Sequence, residues 1–144
     1  MMKSWLFEFL FVYLCPEISD FRIKNVRKLI VKIGEIQKLT EARIVAGRAF
    51  SERIVKKAFS SDLMSDVLTL DEEDILLITG LANVQLLRTA EMADIHIVLL
   101  ARNKPASPEM IQLAEENKIV LLETPFSIFR ASGVLFSNGI KPLY

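Results

Sequence analysis

The chain is poor in the residues that build cross-links and metal sites. Among its 144 residues there is one cysteine, Cys15, and one histidine, His96. A lone cysteine excludes an intramolecular disulfide, and a lone histidine excludes a His-rich metal site. A reducing, cytoplasmic setting is the simplest expectation. Net charge is missing too, because 18 Lys and Arg balance 18 Asp and Glu. With no basic excess and no basic cluster among aromatics, nothing draws the chain toward nucleic acid. Several enzyme signatures are absent. There is no GxxxxGK[ST] phosphate loop, no GxGxxG fingerprint, no GxSxG elbow and no Cys/His pair near a strand end. No catalytic residue, cofactor or metal is assigned on this basis.

Long apolar runs are also scarce. Trp5–Cys15 (WLFEFLFVYLC) is broken only by Glu8. It is short of the ~20 residues that span a bilayer. Three readings of it stand: a helix packed on the domain or a partner, an upstream extension from a misassigned start codon, or an export or anchoring segment. Membrane association is not the expectation.

What is present is a patterned chain. Half of its residues are hydrophobic and a quarter charged, as in a globular domain. Residues 17–38 carry Ile23, Val26, Leu29, Ile30, Ile33 and Ile36 near helical spacing, which predicts one or two amphipathic helices with Gly34 as a break. Arg43–Gly47 (RIVAG) reads as a short strand, Arg53–Phe59 as a second, and Asp62–Leu70 as a short helix capped by Asp62. From Asp74 the pattern is regular: strand Ile75–Thr79, helix from Val84, strand Ile95–Leu100, helix from Ser107-Pro108, strand Ile119–Leu122, and a last helix from Thr124-Pro125 to Asn138-Gly139. The tetrapeptide IVLL occurs at 97–100 and again at 119–122. Continuous apolar strands alternating with helices predict an α/β fold, a single three-layer domain whose mainly parallel sheet is built from successive βα units. The strand–helix units run from about Leu39 to Tyr144.

In such a sheet a ligand sits outside the carboxyl ends of the strands. Those ends are Thr79-Gly80, Ala101-Arg102-Asn103 and Glu123-Thr124, with Gly47 placed beside them. Arg102 suits an anionic group. A second polar group, Ser60-Ser61-Asp62 with Ser65-Asp66, sets Asp62 and Asp66 four apart, on one face of a helix, as a metal-binding or acid–base pair. The candidate ligand-binding residues are thus Asp62, Ser65, Asp66, Thr79, Gly80, Asn83, Arg102 and Thr124. Plainer roles compete: Thr124 as a helix cap, Gly80 as a turn glycine, Arg102 as a solvated charge, His96 as a sheet residue, and Asp71–Asp74 as a solvated loop.

The segments RIVAG (43–47), SSDLMSDVL (60–68), ILLITGLANVQLLRTA (75–90), IVLLARNKPASPEMIQLAEENKIVLLET (97–124) and FSIFRASGVLF (126–136) resemble the DRTGG domain over residues 31–144. The name-giving signature is not spelled; Thr79-Gly80-Leu81-Ala82-Asn83 stands nearest to it. The resemblance implies a domain of residues 31–144 with residues 1–30 as an extension, and a regulatory or dimerising module without established catalysis. Similar domains accompany CBS nucleotide-sensing domains in some pyrophosphatases and precede the catalytic domain of some phosphotransacetylases. Stand-alone relatives are sometimes labelled serine kinases of HPr, a label that the missing phosphate loop argues against. The expectation is a non-catalytic sensing module, a homodimer, whose partner is a small anionic or nucleotide-like ligand or a protein. The alternatives are a pure assembly module, joined through the SDLMSDVL segment and the Phe-rich last helix, and a metal-dependent phosphotransferase or hydrolase using Asp62 and Asp66.

Overall fold

The computed structural model describes residues 30–144. The readings of Trp5–Cys15 and of helix before residue 30 lie outside the described residues.

The apolar runs at 75–79, 97–100 and 120–123 are buried along their whole length, because helices cover the sheet on both sides. They are strands β5 (Ile75–Thr79), β6 (Ile97–Leu100) and β7 (Val120–Glu123). Ahead of them come β1 (Val31–Lys32), β2 (Arg43–Ala46), β3 (Ile54–Val55) and β4 (Lys57–Ser60); β8 (Lys141–Pro142) follows. The helices are α1 (Ile33–Thr40), α2 (Met64–Val67), α3 (Val84–Met92), α4 (Pro108–Glu116) and α5 (Ile128–Ser137). The main sheet has six strands in the order β2-β7-β6-β5-β4-β8, and β1 and β3 form a separate antiparallel pair. Every neighbour pair in the main sheet is parallel except β2 with β7. The fold is therefore α/β, with a mixed sheet in which parallel pairs predominate.

Side-chain alternation divides the core in two. Leu76, Ile78, Leu99 and Leu122 point to one face, where Ile33 and Ile36 of α1 and Ala131 and Leu135 of α5 meet them. Leu77, Val98, Leu100 and Leu121 point to the other, against Val67 of α2, Leu86 and Leu87 of α3 and Met110 of α4. The chirality of the crossovers explains the division. Right-handed connections from β4 through β7 all step the same way, so α2, α3 and α4 share a face. The chain then steps back from β7 to β8, which puts α5 on the opposite face. The loops after β6 and β7 thus leave for different faces, which is a topological switch.

Several local expectations change. Arg53–Phe59 is not one strand: β3 pairs with β1 and β4 joins the main sheet. Gly34 does not break a helix but lies in the first turn of α1. Gly47 is not at the carboxyl edge. Because β2 runs antiparallel to β7, its far end lies over the start of β7, where a Cβ on Gly47 would fall 2.3 Å from the Ile119 carbonyl oxygen. The acidic run is not simply solvated, since Asp74 pairs with Lys56 at 2.8 Å and Glu72 with Lys57 at 2.6 Å. His96 lies just ahead of β6, its Nε2 3.0 Å from Asp94. Ser107 caps α4 as its Ser-Pro start requires, accepting from the Met110 N–H.

Candidate functional site

The strands β4, β5, β6 and β7 end side by side, and the chain beyond each end is irregular. Thr79 closes β5 as a fully buried residue. Its hydroxyl accepts from the Leu81 N–H at 3.2 Å and donates to Asp62 Oδ1 at 2.8 Å. The N–H of Gly80 donates to the same carboxylate oxygen at 2.7 Å. Arg102 Nη2 donates to the other oxygen, Oδ2, at 3.0 Å. One carboxylate from the loop after β4 thus gathers donors from the ends of β5 and β6.

Arg102 reaches this point through an unusual loop. Arg102 and Asn103 both have left-handed backbones, with φ of 63° and 54°. Such a conformation costs a non-glycine residue about 1 kcal/mol or more, and two in succession mark a loop held by its surroundings. The holding bonds are present. The Arg102 N–H donates to the Phe126 carbonyl at 2.7 Å and the Asn103 N–H to the Thr124 carbonyl at 3.0 Å. These bonds join the two loops that diverge at the switch. Glu123 secures the same loop from below: its Oε1 accepts from the Ala106 N–H at 2.7 Å, and its Oε2 from Arg43 Nε at 2.8 Å.

Electrostatics at Asp62 follow from the geometry. Partial burial pushes its carboxyl pKa up. The Gly80 N–H, the Thr79 hydroxyl, the Arg102 guanidinium and the Leu81 N–H outweigh that and hold it below the usual carboxylate value. Solvent still reaches the pair, whose side chains are 41% (Asp62) and 49% (Arg102) exposed.

Of the eight candidate residues, four come together: Asp62, Thr79, Gly80 and Arg102. The other four do not join them. Asn83 caps α3, its side chain accepting from the Leu86 N–H at 2.9 Å. Thr124 is buried and is not a helix cap. Its hydroxyl donates to the Thr40 carbonyl and accepts from the Phe126 N–H, while Ser127 caps α5. Ser65 and Asp66 are exposed on α2. The expected Asp62–Asp66 pair on one helix face does not form, because α2 begins at Met64, with Leu63 at the position before it, leaving Asp62 in the loop. Among the described residues no group of three or more His, Cys, Asp or Glu is placed to hold a metal ion. Glu123 was not among the candidates; its place at the end of an otherwise apolar strand is the signal that could have found it.

A second feature lies on the α5 face. Phe129 is 90% exposed and Phe136 65% exposed, seven residues apart on α5. Both line an open apolar groove of about 430 Å³, together with Gly133, Ile78, Ile140 and Tyr144. No helix among the described residues is long and apolar enough to cross a membrane.

No protein-family model matches the chain, and no curated protein matches it. Among solved structures, one similar to it is the crystal structure of the CBS and DRTGG domains of the regulatory region of Clostridium perfringens pyrophosphatase, complexed with its activator diadenosine tetraphosphate. The two superpose with a TM-score of 0.63 at 16% identity over 76% of this chain. The match takes in 47% of that chain, so the present chain corresponds to about half of that region. At this identity the likeness is one of fold: the chain has a fold like that found in a CBS and DRTGG regulatory region.

Proposed function

We propose that residues 31–144 form a non-catalytic regulatory module that binds a small anionic or nucleotide-like ligand at the carboxyl edge of its sheet. The observation that carries this reading is the convergence of the Thr79 hydroxyl, the Gly80 N–H and the Arg102 guanidinium on one point. All three are donors, and a set of convergent donors with one guanidinium is the chemistry that recognises phosphate or carboxylate. The strained loop that carries Arg102 supports the same reading, because residues held in such backbone conformations cluster at ligand clamps and switch regions. The solved structure of similar fold is itself a regulatory region in complex with a nucleotide activator.

The test is a thermal-shift and calorimetric screen of nucleotides and phosphorylated metabolites. A binder is expected whose affinity falls about tenfold or more in Arg102→Ala, the loss of a charge-assisted contact. Binding that is unchanged in Arg102→Ala would remove this site from the proposal.

A second reading, assembly into a homodimer or with a partner protein, is favoured by a different observation. Two nearly bare phenylalanines flank an apolar groove on α5, and apolar patches of that kind mark contact surfaces. The two readings are compatible, since a dimer of sensing modules is one way to transmit ligand occupancy.

A further inference from the structure

The point where the three donors meet is occupied by a group from the chain itself. Asp62 Oδ1 lies 2.7 Å from the Gly80 nitrogen and 2.8 Å from Thr79 Oγ1, and Oδ2 lies 3.0 Å from Arg102 Nη2. We infer that Asp62 is a built-in competitor for this anion site. A phosphate or carboxylate group enters by displacing the Asp62 carboxylate, so removing Asp62 strengthens anion binding rather than weakening it. The inference rests on the reading that this edge takes an anionic ligand, and it supplies the regulation of that site.

Three features support it. First, the Thr79 and Gly80 donors and the main chain of Arg102 do not depend on Asp62 for their placement. Thr79 and Gly80 end a buried strand, and the Thr79 hydroxyl accepts from the Leu81 N–H, which directs its own proton toward the site. The main chain at Arg102 is fixed by its bond to the Phe126 carbonyl. Second, Asp62 comes from a different element, the irregular loop between β4 and α2, where it is neither a helix cap nor a strand residue. The Asp62 side chain can therefore turn away without dismantling the donors, while the Ser61 N–H keeps the loop on the Ile78 carbonyl. Third, the pair is open to solvent, at 41% and 49% exposure, so a dissolved anion can reach it. Charge points the same way. With Asp62 in place the Arg102 charge is cancelled, and an incoming anion meets a carboxylate; with Asp62 withdrawn, it meets a guanidinium and two dipoles.

The test compares the full chain, Asp62→Ala and the double variant Asp62→Ala/Arg102→Ala, with inorganic pyrophosphate and acetate as probes. If the closed arrangement holds back most of the binding-competent population, pyrophosphate should bind Asp62→Ala about tenfold more tightly than the unmodified chain. That gain should vanish in the double variant, and acetate should raise the melting temperature of Asp62→Ala but not of the unmodified chain. Equal or weaker pyrophosphate binding by folded Asp62→Ala overturns the inference. If the unmodified chain still binds in an Arg102-dependent way, the anion-site reading survives that result. If neither protein responds to any anion, both fall. Should Asp62→Ala not fold, Asp62→Asn retains an acceptor for Gly80 and Thr79 while losing the charge. It is expected to change affinity in the same direction by a smaller factor, and no gain there overturns the inference equally.

Discussion

Arg102 lies flat on the main chain of Gly80, its Nη2 only 2.0 Å from where a Cβ on Gly80 would stand. The glycine is needed here for close approach, not for its backbone angles. Gly80→Ala therefore tests the site without attacking the fold. The obstructing atoms are the far end of a flexible side chain, so the guanidinium can swing away. Stability should change by about 1 kcal/mol or less, while Arg102-dependent anion binding should drop as far as it does in Arg102→Ala. Denaturant unfolding and calorimetry on the same sample check both halves. A variant that binds normally would show that Arg102 need not lie over Gly80.

Acid should loosen the Asp62 contacts, and the sign follows from the direction of the shift. The folded carboxyl titrates below its ordinary value. Between the folded and unfolded values the unfolded chain holds more protons, so stability rises with pH there. The contribution is fully present above the unfolded aspartate value, ~3.9, and fades as pH falls through the folded one. Asp62→Asn lacks this titration. The stability gap between the unmodified chain and Asp62→Asn, measured by urea unfolding, should be widest near neutrality and shrink on acidification below pH ~4. A gap that does not change with pH would mean the carboxylate charge contributes nothing to folding.

Glu123 fastens two segments at once, Arg43 on β2 and the Ala106 N–H in the loop after β6. Its side chain is 10% exposed, whereas that of Arg43 is 75% exposed. In Glu123→Ala the arginine can turn to water, but the Ala106 N–H loses its acceptor. A cost of about 1–3 kcal/mol is expected, together with faster hydrogen exchange at Arg102 and Asn103. Unchanged exchange there would separate Glu123 from the ligand loop.

The exposed aromatics of α5 give a test of assembly. Phe129→Glu places a charge on a side chain that is 90% exposed. It should leave folding almost untouched, within about 0.5 kcal/mol. If the α5 face joins two copies, light scattering should show the dimer shifted toward monomer. A folded variant that keeps the native mass would place any interface elsewhere.

Much of the fold was legible because burial on both faces leaves a plain signature. The runs ILLIT and IVLL are continuous, and helices with strong caps separate them; Ser107-Pro108 starts a helix as its chemistry requires. The antiparallel placement of β2 was not legible, because RIVAG reads the same in either direction and only the connection through residues 47–56 decides it. Nor was β8, whose two residues carry no periodicity. At the site, topology alone brought Thr79, Gly80 and Arg102 to one edge. The role of Asp62 was misread, because an aspartate before a short helix looks like its cap, while here three donors from elsewhere in the chain offer the carboxylate more than α2 can. Thr124 failed for a related reason: a Thr-Pro pair signals a helix start, yet burial turned its hydroxyl to the Thr40 carbonyl.

The strand β8 has a consequence for how copies of the chain can meet. It is two residues long and one of them, Pro142, has no N–H to offer. The opposite margin is no better a template, since β2 is short and its pairing is irregular between Ile44 and Ala46. A sheet blunted at both margins discourages growth by strand addition, and with it fibre-like stacking. Among the described residues, self-association would then fall to other surfaces, such as the exposed aromatic face of α5.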